Sequence, residues 1–165
     1  MLMNCDSANK LVKQLQADKA AIQTKEAQNA SYSYLNGETP EKPEYDFAET
    51  QAALRRYDDK IIKLKHAINV FNCTTQLDRL DMTIDAALVR MAMLNNEKTK
   101  LNSMRMAQKK SRMTTLRGVS EFTEINYAIE DAQTRYDEVS RELLAIQQAL
   151  NIANLTKTFE IDIEA

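Results

Sequence analysis

FAETQAALRRYDDKIIKLKHAINVFN, residues 47–72, steps its apolar side chains by three and four positions through Phe47, Leu54, Tyr57, Ile61, Leu64, Ile68 and Phe71, with Thr50 the one polar member. That spacing puts a single stripe along one face of a helix and requires a second helix to cover it. A matching run lies near the end of the chain: Phe122, Ile125, Ile129, Ala132, Tyr136, Val139, Leu143, Ile146, Leu150 and Ala153. Two long stripes of this kind specify helix-on-helix packing, and they set the frame for the rest of the sequence.

Working outward, 165 residues suffice for one domain with a real core, and only two Gly and two Pro are available for turns. The segment 35–45, LNGETPEKPEY, holds Gly37 and both prolines and is a loop between the first two helices. Upstream, Asp6 or Ser7 is the expected N-cap of a first helix whose inner face, Leu11, Leu15 and Ile22, is interrupted by Asp18, Lys25 and Asn29. A third helix uses Ile84, Leu88, Met91, Leu94 and Leu101. Gly118 marks a break, and Ser120 with Glu124 close by opens a fourth. The expected fold is thus all-α: a single domain, residues 1–165, forming an antiparallel up-down-up-down bundle of four coiled-coil-like helices at about 7–34, 46–72, 82–110 and 120–155. The tail TKTFEIDIEA alternates Phe159, Ile161 and Ile163 with acidic residues, which predicts a short extended piece. It pairs with another chain, docks on the helices or frays, with docking and fraying favoured.

The balance of charges, −2 overall, points to neither nucleic acid nor a membrane. Their distribution says more. Glu38, Glu41, Glu44, Asp46 and Glu49 crowd the first loop, whereas residues 98–117 carry Lys98, Lys100, Arg105, Lys109, Lys110, Arg112 and Arg117 without an acid. In an up-down-up-down bundle the two segments meet at one end and attract each other. The alternative is a phosphate or nucleic-acid site built on Arg105, Lys109, Lys110, Arg112 and Arg117, disfavoured because no aromatic side chains are interleaved with the cations.

Known catalytic patterns are missing. His66 is the one histidine, and Lys63 stands three before it, so a Glu-x-x-His carboxylate-bridged metal pair cannot be assembled. Gly37 and Gly118 cannot supply a phosphate-binding loop. Cys5 and Cys73 form no CxxC and read as free thiols of a cytoplasmic protein. His66 and Cys73, about 10 Å apart along a helix, lack a third partner. The expectation is a non-enzymatic protein with no cofactor or metal.

At the end of the second helix Asn69, Asn72, Thr74 and Thr75 cluster, and in the proposed bundle they face Gln147 and Asn151 of the fourth. These predict a polar network that fixes helix register, or an assembly interface. Asn69, Asn72, Thr75 and Leu77 after a heptad helix, Arg90 in the third, and YDEVSRELLAIQQALNIAN with Ile146, Gln147 and Asn151 or Asn154 resemble a family of small bacterial all-helical proteins of unestablished function, some labelled septicolysin. The resemblance spans about residues 9–154. It implies a helical bundle and no catalytic residue. The cytolysin activity in that label is not carried over, since the chain shows no signal-like start, strand-rich body or membrane-inserting segment. The functional expectation is a helical scaffold or interaction protein that self-associates, with a second protein partner as a further option.

Overall fold

A computed structural model describes residues 1–115 and 118–163. In chain order the elements are β1 (Leu2–Asn4), α1 (Cys5–Asn29), α2 (Phe47–Thr74), α3 (Ile84–Arg105), β2 (Lys110–Thr114), β3 (Ser120–Glu124), α4 (Ile129–Thr156) and β4 (Thr158–Glu160). The protein is mostly helical, with the four helices expected. It is not all-α, because β1 pairs with β4 and β2 with β3 in two small antiparallel sheets.

The chain divides into two compact units, Met1–Thr75 joined by the chain from Ile152 onward, and Gln76–Asn151. In the first unit α1 and α2 form an antiparallel pair of constant register. Cys5 bonds Asn72, Lys19 meets Asp58 at 2.5 Å, and Gln51 donates to Glu26 at 2.7 Å. The α2 seam closes as the heptad requires, with Leu54, Ile61, Leu64, Ile68 and Phe71 buried. Phe47, in the first turn, is exposed. From α1 the small residues Cys5 and Ala8, followed by Val12, are buried, while Leu11, Leu15 and Ile22 are half-buried.

Asn4, rather than Asp6 or Ser7, caps α1, its Oδ1 accepting from the Ser7 N–H at 2.9 Å. That helix ends at Asn29, where the Ala30 N–H closes on Glu26, so residues 31–34 lie outside it. Asp46 caps α2 through the Glu49 N–H. The tail neither frays nor merely docks. Its period-two pattern finds a strand in the same chain, with Leu2 opposite Glu160, Met3 opposite Phe159 and Asn4 opposite Thr158. Met3 and Ile161 are buried there, and the Phe159 ring packs 5.0 Å from Phe71.

In the second unit α3 and the body of α4 also run antiparallel, joined across by Arg90–Glu142 and Glu97–Arg135. Thr83 caps α3 through the Ala86 N–H. Ile84, Ala87, Leu94 and Leu101 are buried, with Ala87 taking the inner position that sequence spacing assigns to Leu88. Ala132, Val139, Leu143, Ile146 and Leu150 bury the α4 seam as expected, and Ala153, in the first unit, is buried too.

The largest departure lies at 106–128, where α3 stops at Arg105 and α4 begins only at Ile129. Between them β2 and β3 pair from Lys110 opposite Glu124 to Thr114 opposite Ser120. Thr114, Thr115, Val119 and Thr123 favour extended backbone, and Gly118 supplies a left-handed φ of 74° at the turn. Phe122 and Ile125 continue the α4 stripe in spacing alone. Phe122 is 55% exposed on a strand.

Two cores imply two sensitive positions. Leu64→Ala in the first unit and Ile146→Ala in the second, at 0% and 2% exposure, should each lower unfolding stability by about 2–5 kcal/mol. Lys13→Ala on the exposed face of α1 should change it by less than about 0.5 kcal/mol. Urea unfolding followed by circular dichroism measures all three.

Candidate interaction surface

The polar residues at the end of α2 and in α4 are not buried. Asn69, Gln147 and Asn151 are exposed, and Asn72 and Thr75 are half-buried. No polar or charged residue among the described ones falls in the buried class. Asn72 has a local task, its Oδ1 accepting from the Cys5 thiol at 3.6 Å. Burial pushes the Cys5 thiol above its ordinary pKa, which keeps it a donor. Thr74 turns its hydroxyl back to the Val70 carbonyl at 2.9 Å, ending the helix as a backbone-bonding threonine does. His66 and Cys73 are exposed on α2.

The basic segment is drawn together by the second unit's own side chains. Arg105 donates to Asn102 and to Gln133, and its guanidinium carbon stands 4.2 Å from the Tyr136 ring centre, with Lys98 on the same ring at 5.4 Å. Lys109 meets Glu130 at 3.8 Å, and Lys110 pairs with Glu124 across the hairpin. Arg112 donates through Nε and Nη2 to the Ser120 hydroxyl, at 3.0 and 2.6 Å. Arg117 lies outside the described residues. An aromatic side chain does stand among these cations, one that sequence spacing assigns to the fourth helix. On β3 Phe122 sits opposite Arg112, with Lys110 4.9 Å and Arg112 5.9 Å from its ring.

The hairpin that carries these groups is anchored at its base and bare beyond it. The Ile125 N–H donates to the Lys109 carbonyl, and the Tyr127 hydroxyl donates to the Met104 carbonyl at 2.9 Å. Every residue of β2 is exposed, as are all of β3 but the half-buried Ser120. Met106, Met113, Val119 and Phe122 place apolar surface in the same region. A lone two-stranded ribbon in water is marginal, so this one gains from any partner that covers it.

In the first unit a cleft of about 540 Å³ opens beside Glu26, which accepts from the Tyr45 hydroxyl at 2.8 Å as well as from Gln51. Desolvation and the Glu26 hydrogen bond raise the Tyr45 phenol above its usual value, so the proton stays on the tyrosine and ties the acidic loop to α1.

Across α3 and α4, Arg90 Nε donates to Glu142 at 2.7 Å and Arg135 bridges Glu97 and Glu138. The Arg90 hydrogen bond holds the Glu142 carboxyl below its ordinary value despite partial desolvation. A carboxyl depressed on folding stabilises the fold above its unfolded pKa, about 4.3, and loses that contribution as pH falls through its lower folded value. Glu142→Gln should therefore cost stability at pH 7 and progressively less below about pH 4. Denaturant midpoints of both proteins at pH 7 and pH 3 test this; an undiminished gap at pH 3 would assign the loss to packing.

No protein-family model matches the chain, and comparison with curated proteins and with solved structures gives no match.

Proposed function

We propose that this protein is a non-enzymatic helical scaffold whose copies associate with one another. The observation that carries this reading is a second apolar stripe on the helices, away from the seams. On α4 Leu144, Ile152 and Leu155 are exposed at helical spacing; on α2 Ile62 and Val70 are exposed, and on α3 Val89 and Met93. Isolated apolar side chains are ordinary on a surface, whereas three on one face of α4, with a pair on α2 and a pair on α3, leave apolar surface for further helices to cover. A charge of −2 leaves copies little reason to repel. In this reading each antiparallel helix pair is completed into a coiled-coil-like bundle by helices that cover these stripes, and the protein works in the cytoplasm.

Phosphate binding through residues 98–117 draws support from the Phe122 ring among the cations. It is the weaker reading, because Lys109 and Lys110 already face Glu130 and Glu124, and displacing a paired cation cancels much of what a phosphate contributes.

Size-exclusion chromatography with light scattering should give a mass that is a multiple of the 18.9 kDa chain, with the absorbance of a protein containing Tyr and no Trp. Leu144→Lys with Ile152→Lys should move that mass toward the monomer. A monomer carrying nucleic-acid absorbance that salt removes would overturn the proposal in favour of the basic segment.

A further inference from the structure

We infer that β3 is a dimerisation edge, pairing antiparallel with β3 of a second copy about a two-fold axis at Phe122. The inference rests on the self-association proposed above and adds to the helical stripes a second contact, on the hairpin.

The backbone bonds of the hairpin determine which groups are free. The Thr115 N–H donates to the Val119 carbonyl and the Ile125 N–H to the Lys109 carbonyl, so within the register Lys110–Glu124 the odd-numbered pairs exchange hydrogen bonds. Alternation then turns the N–H and C=O groups of Ser120, Phe122 and Glu124 away from β2, toward the open side of β3. Those of Lys110, Arg112 and Thr114 turn to the open side of β2 by the same rule.

The two edges differ in what symmetric pairing would bring together. Centred on Arg112, pairing through β2 sets one guanidinium against its copy, a like-charge cross-strand pair. Lysine and arginine on an edge are a recognised guard against such pairing. Centred on Phe122, pairing through β3 sets ring against ring, with Ser120 opposite the second copy's Glu124 at both ends. Phe122, 55% exposed, gains an aromatic neighbour on one side while Lys110 and Arg112 hold the other. The result is a four-stranded sheet, closed because both outer edges are then the basic β2 strands. Pairing β2 of one copy with β3 of the next would instead leave an edge open at every step until a ring closes or a filament grows.

Ser120 permits a test in which effects within one chain and effects between chains have opposite signs. It accepts both hydrogen bonds from Arg112. Ser120→Glu should strengthen the hairpin itself by facing Arg112, yet oppose the second copy's Glu124. Ser120→Lys should do the reverse. If β3 is the interface, Ser120→Glu raises the dimer dissociation constant and Ser120→Lys lowers it, each by about threefold to tenfold, since every cross-strand pair occurs twice. Sedimentation equilibrium reads both. In a Cys73→Ser background, which removes the exposed thiol, Phe122→Cys treated with diamide as oxidant should form a covalent dimer and Arg112→Cys should not. An associating protein indifferent to both Ser120 charges, whose Phe122→Cys variant forms no covalent dimer, would overturn the β3 edge and leave association through the helices standing. A disulfide joining the Arg112→Cys variant to the Phe122→Cys variant when the two are mixed would overturn the closed arrangement. A wild-type monomer would remove both this inference and the proposal beneath it.

Discussion

A long helix with one apolar stripe cannot leave that stripe in water, and everything else in this chain follows from how the stripes are covered. The seam from Leu54 to Phe71 on α2 and the seam from Ala132 to Leu150 on α4 are buried, and each helix runs beside an antiparallel neighbour. Polar pairs beside each seam then hold the register. Cys5 with Asn72, Lys19 with Asp58 and Glu26 with Gln51 do so in one unit, and Arg90 with Glu142 and Glu97 with Arg135 in the other. The energy lies in the seam; exposed and half-exposed ion pairs contribute modestly and chiefly select one alignment.

Helix seams are local, periodic signals, and these are legible in the sequence: Leu54, Ile61, Leu64 and Ile68 on α2, with Val139, Leu143, Ile146, Leu150 and Ala153 on α4, follow from spacing and are buried. Spacing does not reveal where a three-and-four pattern ceases to mean a helix. Phe122 and Ile125 fit the α4 stripe by number, but Ser, Thr and Val around Gly118 favour extended backbone, and strand pairing between 110–114 and 120–124 decides the matter through bonds that no single window displays. The terminal strands pose the same difficulty at greater range. Alternation at Phe159 and Ile161 reveals a strand, while its partner, Leu2–Asn4, is only three residues long and far too short to announce itself.

The polar cluster misleads for a related reason. Asn69, Gln147 and Asn151 resemble members of a network because they flank seam positions, yet flanking a seam on a two-helix pair means facing out. The cations of 98–117 are legible as a cluster but not in their pairing, since Glu124 and Glu130 reach Lys110 and Lys109 only once the hairpin folds back.

The hairpin is the part of the fold least accounted for by its own contacts. Its strands bury almost nothing, so the helices neither require nor reward its extended form beyond the tie at Ile125 and Tyr127. Thr, Val and Ser lower the cost of extension, and Lys110 with Glu124 adds a pair across the strands, but such terms leave an isolated ribbon near the balance point. The segment lays two cations, Lys110 and Arg112, on β2 and two carboxylates, Glu121 and Glu124, on β3, with Phe122 between the carboxylates. Folding of the helices explains the seams; the form of the hairpin follows from pairing between its own two strands and from the turn at Gly118.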